Sequence, residues 1–278
     1  MNIAVAQFAP ELGQLEANLE AVRAFHEQAR QAGADLVVYP ELALSGYKME
    51  QESSRHALKR EHPIFLALLR LSERLPLVIG FAERSPRGRI YNAAALLAEG
   101  EIVHLHRKVC LPTYGAWEEQ KHFAKGRSLK VFSYRGFRIA LFVCYDFWYP
   151  SMTYLAACDD ADLMIVLANS CRDPEEKNPR TWELLIQTPA ALYGSYVVFC
   201  NRVGLEYGES FWGGSAVIAP RGEVAARAGT DEMLIYATLE PDKSAQAREA
   251  LPLMRDAELD FTARELRRIL GQRLVEND

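Results

Sequence analysis

The chain opens on a strand, a helix and a second strand, and that order constrains its fold more than any other feature. Residues 3–8 form an apolar run. Leu12, Leu15, Leu19, Val22, Phe25 and Ala29 then recur at three- and four-residue steps, the stripe of an amphipathic helix that Gly33 stops. Residues 36–39 are a second apolar run, β-branched and aromatic in character. A strand–helix–strand unit predicts a parallel pair with the helix on one face. Pro40 ends the second strand and Glu41 follows. A carboxylate there stands at the carboxyl end of a buried strand, where open α/β sheets place their ligand chemistry. Taken alone, it reads equally well as a solvated loop glutamate.

The rest of the chain extends this α/β pattern. Residues 46–62 are polar and charged, a surface loop or short helix able to close over a site. A helix is predicted over 63–75 and a strand over 77–83. Two hairpins follow the same plan. The first joins 90–98 to 102–106 through Glu99-Gly100-Glu101, and the second joins 214–219 to 224–227 through Arg221-Gly222-Glu223. Each turn carries a glycine where φ > 0 is needed. Between the hairpins, strands are predicted over 129–134, 137–143, 163–168 and 196–201, with helices over 151–158 and near 180–193. Two halves, each of α/β units plus a hairpin, suggest two similar sheets packed together. After a strand at 236–239 the tail carries Pro241 and Pro252 and ends in a helix whose Thr262-x-x-Glu265 matches a capping box. No linker or composition break interrupts the chain, so one domain over residues 1–278 is expected, with the tail 241–278 a candidate for a dimer interface.

Composition narrows the function classes. With 278 residues, 49% hydrophobic and 25% charged, the chain can bury a sizeable core. A formal net charge of −5 and the lack of a basic cluster argue against nucleic acid as a partner. The five cysteines (Cys110, Cys144, Cys158, Cys171 and Cys200) are an odd number with no C-x-x-C pair, which predicts reduced thiols rather than a disulfide or zinc framework. The opening Met1-Asn2-Ile3 has no charged segment of a signal peptide, and no apolar run approaches the roughly 20 residues of a membrane span. A soluble cytoplasmic protein is expected.

Three strand ends carry chemistry. Glu41 ends the second strand, Lys108 follows the arm that ends at His106-Arg107, and Cys144 follows the buried run Ala140-Leu141-Phe142-Val143. Singly, each has an ordinary reading as a core thiol or a solvated charge. Together they form a chemical solution. A thiol with an unperturbed pKa near ~8.5 needs a base or a cationic neighbour to act as a nucleophile at neutral pH. No histidine follows His122, and His104 and His106 alternate along a strand as ordinary partners. A glutamate can take the thiol proton and hand it to a leaving amine, while a lysine ammonium holds the oxyanion of a tetrahedral adduct.

On three motifs the sequence resembles the nitrilase superfamily of carbon–nitrogen hydrolases, over roughly residues 3–239. Tyr39-Pro40-Glu41-Leu42-x-Leu44-Ser45-Gly46-Tyr47 is similar to the family's glutamate motif, Arg107-Lys108-Val109-x-Leu111-Pro112 to its lysine motif, and Val143-Cys144-Tyr145-Asp146 to its nucleophile motif. The resemblance implies Glu41 as general base, Lys108 as oxyanion stabiliser and Cys144 as nucleophile, with the Tyr145 amide completing the oxyanion hole. A fourth segment, Trp117-Glu118-Glu119-Gln120-Lys121-His122-Phe123-x-x-Gly126, resembles the one carrying a second glutamate and implies Glu119 in a positioning or proton-handling role. It further implies an α/β fold, a four-layer α-β-β-α sandwich of two mixed sheets, and pairing into a homodimer or dimer-based oligomer. No metal or organic cofactor is implied, since Lys108 and backbone amides supply the electrophilic stabilisation.

The chain also departs from its relatives. Trp148 stands where amidases for short dicarboxylic monoamides carry arginine, and an aromatic ring cannot pair with a carboxylate as a guanidinium does. Members acting on carbamoyl amines are more similar there. The substrate-binding candidates beside the triad are Tyr47, Tyr114, Trp117, Phe147, Trp148 and Asn169, although aromatics in such loops also pack sandwich cores. Arg172 and Arg180 are candidates for an anionic substrate end or for plain solvated surface; Cys171 is placed near the site and Cys200 in the core. The expected function is hydrolysis of a linear amide or N-carbamoyl amine through a thioester, releasing ammonia. The rivals are a glutamine-hydrolysing subunit feeding a synthetase partner, faintly suggested by Tyr114-Gly115-x-Trp117, a nitrile hydrolase, and a non-catalytic scaffold, which would be expected to lack one of Glu41, Lys108 and Cys144.

Overall fold

A computed structural model describes residues 1–48, 54–114, 118–173 and 177–276. The opening is β1 (Asn2–Gln7), α1 (Leu15–Gln31) and β2 (Leu36–Val38), and the two strands pair in parallel as expected. After α2 (Pro63–Ser72), β3 (Leu77–Arg84) adds in parallel, and the hairpin β4 (Ile90–Ala98) and β5 (Glu101–Arg107) continues the sheet antiparallel. The short helix α3 (Glu119–His122) leads to the second half. There β6 (Val131–Tyr134), β7 (Phe137–Val143), a 3₁₀ turn at Cys144–Trp148, α4 (Pro150–Cys158), β8 (Leu163–Ala168), α5 (Lys177–Tyr193) and β9 (Tyr196–Asn201) follow in turn. A small two-stranded hairpin, β10 (Val203–Glu206) and β11 (Glu209–Trp212), precedes β12 (Ala216–Ile218), β13 (Val224–Arg227) and β14 (Met233–Thr238). The chain then runs through α6 (Pro241–Ala250) and α7 (Leu259–Glu276).

The strand orders are β14-β1-β2-β3-β4-β5 in one sheet and β13-β12-β9-β8-β7-β6 in the other. Each sheet therefore has three parallel strands, an antiparallel hairpin on one side and one antiparallel strand on the other. The hairpins share a further detail: the ladder shifts between Leu96 and Leu97 in β4 and between Val217 and Ile218 in β12, in each case shortly before the turn. The two similar sheets read from the sequence are present, each with its bulge in the same place.

Alternation along the strands builds the layers. Ile3, Val5, Leu36, Val38 and Val78 of the first sheet meet Ile139, Leu141, Val143, Leu163, Ile165 and Val198 of the second in one buried cluster between the sheets. The opposite face of the first sheet, with Ala4, Val37 and Ile79, packs on Val22 of α1 and Leu68 of α2. Ala140, Phe142, Met164 and Val166 of the second pack on Ala156 of α4 and Ile186 of α5. The result is helix, sheet, sheet, helix. Every fully buried Leu, Ile or Phe side chain here contributes on the order of 1.5–3 kcal/mol. Among the described residues no helix is long and apolar enough to cross a membrane.

The tail differs from the reading of its capping box. Helix α7 begins at Leu259, and the Thr262 hydroxyl donates back to the Glu258 carbonyl at 3.1 Å, so Thr262 lies inside the first turn rather than capping it. Pro241 sits at the first turn of α6, where its missing N–H has no intrahelical partner to lose.

Candidate active site

Glu41, Lys108 and Cys144 converge at one end of the sandwich, each just beyond the end of a strand. Pro40 and Glu41 follow β2, and the approach to β3 is close: a Cβ on Gly80 would lie 2.6 Å from the Glu41 Cα and from the Pro40 carbonyl oxygen. Lys108 follows β5 and stays on its ladder, donating its N–H to the Asn92 carbonyl at 2.8 Å. Cys144 leaves β7 with φ of +42°, in the left-handed region that non-glycine residues rarely adopt. The residue after Glu41, Leu42, also has a positive φ, of +46°.

The carboxylate of Glu41 is fully buried and fully engaged. Its Oε1 accepts from Asn92 Nδ2 at 2.7 Å and from Lys108 Nζ at 2.8 Å, and its Oε2 accepts from the Asn169 amide at 2.8 Å. Asn169 also donates through Nδ2 to the Glu41 carbonyl at 2.9 Å. Lys108 Nζ donates equally to Glu119 Oε1 at 2.8 Å, and that oxygen accepts the Tyr47 hydroxyl at 2.6 Å. One ammonium thus bridges two buried carboxylates. Oε2 of Glu119 is buried without a hydrogen-bond partner among the described residues.

Electrostatics fix the resting protonation. Burial pushes the Cys144 thiol well above its ordinary value and Glu41 and Glu119 add to this, while Lys108 and the Asn169 amide pull it down. The thiol therefore rests neutral and needs a base. For Lys108, burial works against the charge, but Glu119 and Glu41 outweigh it and hold the ammonium protonated. Burial raises the Glu119 carboxyl against the lowering pull of Lys108. Burial and the carboxylates of Glu119 and Glu41 raise the Tyr47 phenol, so it remains a donor.

Asp146, two residues after Cys144, ties the turn beyond β7 to the end of β5. Its Oδ1 accepts the Val109 and Cys110 amides at 2.9 and 2.8 Å, and its Oδ2 accepts the Val143 amide at 3.1 Å. The same Oδ2 lies 2.9 Å from His106 Nε2, and both side chains are buried. His106 is thus more than an ordinary strand residue: it pairs across the two sheets with Asp146. Tyr145 sits in the first turn of the 3₁₀ segment, where N–H groups have no intrahelical acceptor.

A narrow cavity of about 50 Å³ opens over these groups. Of the substrate-binding candidates, Tyr47, Tyr114, Trp148 and Asn169 line it, and so does Cys171. Phe147 does not. It is 1% exposed and packs edge-on against Phe142 at 5.1 Å and beside Trp182 at 6.5 Å, on the helix side of the second sheet. Trp117 lies outside the described residues. Neither Arg172 nor Arg180 is among the described lining residues, and Cys200 is buried in the inter-sheet core. Sequence reasoning missed Asn92, Ser170 and Asn178, whose only signal is a polar residue at or beyond an apolar run. Among the described residues no group of three His, Cys, Asp or Glu is arranged to hold a metal ion.

Two stacked mixed sheets carry a thiol, an ammonium and a carboxylate at their strand ends, with a second carboxylate from α3, and a family model described as carbon-nitrogen hydrolase matches residues 2–249. The chain belongs to the carbon–nitrogen hydrolase family, the nitrilase superfamily. It is 28% identical to the omega-amidase NIT3 of Saccharomyces cerevisiae, over 94% of each chain. It is 31% identical to a glutamine-dependent NAD(+) synthetase of Xylella fastidiosa, over 96% of this chain but 48% of that protein. The chain spans less than half the length of four NAD(+) synthetases that it matches, between 39% and 48%. Among solved structures, an amidase mutant from Nesterenkonia sp. AN1 superposes with a TM-score of 0.81 at 25% identity, over 95% of this chain and 96% of that one. That structure carries the acetamide moiety of fluoroacetamide covalently on its active site cysteine.

Proposed function

We propose that this protein is a thiol amidohydrolase that cleaves a linear amide or N-carbamoyl amine and releases ammonia. The observation that carries the reading is the shared ammonium: Lys108 Nζ lies 2.8 Å from both Glu41 and Glu119, in the cavity that Cys144 lines. Glu41 takes the Cys144 proton as the sulfur attacks the carbonyl carbon. The carbonyl electron pair moves to oxygen, where Lys108 and the Tyr145 N–H meet the charge. Collapse of the adduct breaks the carbon–nitrogen bond, Glu41 passes its proton to the departing amine, and a thioester remains. Water, deprotonated by Glu41, attacks the thioester, and the returning proton restores the thiol. Glu119, held by Lys108 and Tyr47, orients the lysine and the leaving group.

The amidase and omega-amidase relatives support amide chemistry, and the narrow cavity suits an unbranched group at the reacting carbon. The NAD(+) synthetase relatives favour a second reading, in which the protein hydrolyses glutamine for a separate ATP-dependent ligase. A panel of amides, carbamoyl amines, nitriles and glutamine, with ammonia release measured, separates these. Wild-type protein is expected to act on at least one amide or carbamoyl amine, and Cys144→Ala to lose that activity while unfolding at the wild-type temperature. Full turnover by Cys144→Ala would sink the mechanism. Glutamine as best substrate, together with a co-purifying ligase, would select the second reading.

A further inference from the structure

The hairpin of β10 and β11 belongs to the second half of the chain, yet it grips the loop that follows Glu41. Glu206, at the end of β10, is 5% exposed. Its Oε1 accepts the backbone N–H groups of Tyr47 and Lys48 at 3.0 and 2.7 Å. Two successive amides aimed at one carboxylate form an anion-holding nest. Gly46 completes it: its φ is +75°, and a Cβ there would lie 2.7 Å from Glu206 Oε2. Behind Glu206 stands Arg202, 1% exposed, which donates to Glu206 Oε2 and to the Pro10 carbonyl and lies 4.2 Å from the centre of the Phe211 ring. Removing one partner from such a buried pair is costly, so the arrangement resists drift. From β11, Glu209 pairs with Lys48 Nζ at 3.1 Å. The far side of β11 holds the opposite wall of the cavity, where Phe211 bridges to Cys171 and the Ser210 carbonyl accepts the Arg172 amide at 2.6 Å.

We propose that Glu206 is a positioning residue: it fixes the backbone of Tyr47 so that the phenol stays on Glu119, and through it the β10–β11 hairpin sets the active-site geometry. The chain of contacts is continuous, from Arg202 to Glu206, to the Tyr47 amide, and from the Tyr47 hydroxyl to the Glu119 oxygen that also receives Lys108. The proposal rests on reading Glu41, Lys108 and Cys144 as the reacting groups. Glu119 faces Lys108 from the end of β5, Glu41 from the end of β2, Tyr47 from the loop beyond it, and Cys144 from the end of β7. Of these, Lys108 and the Tyr47 hydroxyl favour its ionised form and Glu41 opposes it. Loss of the phenol therefore moves the Glu119 titration to higher pH.

The test uses two readouts on the full chain: ammonia release, and the rate at which iodoacetamide alkylates Cys144, each measured across pH. Glu206→Gln keeps the side-chain shape but loses the charge that answers Arg202; Tyr47→Phe removes only the hydroxyl. Both are expected to lower kcat/KM by about tenfold to a hundredfold, the scale of a small misplacement near the chemistry. Both are expected to move the same inflection of the alkylation profile to higher pH, and the double variant to be no worse than Tyr47→Phe alone. Glu206→Asp, which retains the charge, is expected to recover part of the loss. If Glu206→Gln leaves the alkylation profile at the wild-type position, or its effect multiplies fully with that of Tyr47→Phe, the proposal is overturned. Should Glu206→Gln not fold, Glu206→Asp against Tyr47→Phe in the same double-variant comparison decides it. Failure of iodoacetamide to label Cys144 in the wild type would instead overturn the underlying site reading.

Discussion

Lys108 carries one charge between two buried carboxylates, and its ammonium hydrogen-bonds to both. Without its ammonium, Glu41 and Glu119 would face each other as buried like charges with no cation between them, which disfavours ionising both. Lys108→Met is therefore expected to lower kcat by several decades and to move the acidic limb of the pH–rate profile to higher pH. Measuring kcat from pH 4 to pH 9 checks both, and a residual activity that keeps the wild-type limb would mean that Lys108 does not tune the carboxylates beside it. Glu41, Lys108 and Cys144, which the structure brings together, were legible in the sequence as reactive side chains set just beyond strands, those before Glu41 and Cys144 being apolar. Asn92, which donates to Glu41, was not, since it is one polar residue inside a strand of alanine and leucine. Phe147 shows the opposite failure. An aromatic three residues from Cys144 suggested a pocket wall, but the 3₁₀ turn places it on Phe142 and Trp182. The identity of a ring says nothing about which side of a tight turn it takes.

At the level of elements, the end of β2 is placed by what β3 lacks. Gly80 donates its N–H to the Pro40 carbonyl at 3.2 Å and its carbonyl accepts the Ala43 amide at 2.9 Å, so the two backbones touch where Glu41 begins. An added Cβ would meet Leu42 N at 2.7 Å as well as Glu41 itself, and backbone cannot step aside as a side chain can. Gly80→Ala is expected to cost on the order of 1–3 kcal/mol of stability. It is also expected to lower kcat/KM by about a hundredfold, because it displaces Glu41, the base of the proposed mechanism. Urea unfolding and steady-state kinetics on the same preparation check the pair; normal activity with normal stability would mean that the close approach does not place Glu41. The sequence pattern of apolar runs, helical spacing and turn glycines revealed the β–α–β opening and both large hairpins. It did not reveal β10 and β11, where Leu205 and Tyr207 are exposed and the turn Tyr207-Gly208 has no flanking apolar run. Nor did it separate Thr262 as a cap from Thr262 as a first-turn residue, because both share the same spacing to Glu265.

Across the whole molecule the two sheets are tied at one edge by histidines. His106 of β5 reaches Asp146 beyond β7, and His104 of β5 stacks on Phe132 of β6 with ring centres 4.2 Å apart. The two-sheet sandwich was foreseeable from paired hairpins, but these cross-sheet contacts were not, because sequence spacing does not report which strands of opposite sheets face each other. They give the fold an acid-sensitive seam. Burial, with His106 and Lys130 nearby, lowers His104 to about 4, whereas an unfolded histidine titrates near 6.5. Between those values the unfolded chain binds a proton that the folded chain refuses, so stability falls as pH drops from 6.5 towards 4. The full shift corresponds to about 3 kcal/mol, reduced to roughly 1–2 kcal/mol because the ring is partly exposed and its charge partly screened. Buried His26 is shifted in the same direction, again chiefly by burial. Glu119, raised by burial, acts oppositely, since the folded state takes up its proton first. His104→Phe keeps a ring on Phe132 but removes the titration. Urea unfolding at pH 7 and pH 4.5 is therefore expected to show the wild type losing more stability than His104→Phe, by roughly 1–2 kcal/mol, whatever the contributions that both share. Equal losses in the two proteins would locate the acid-sensitive seam elsewhere.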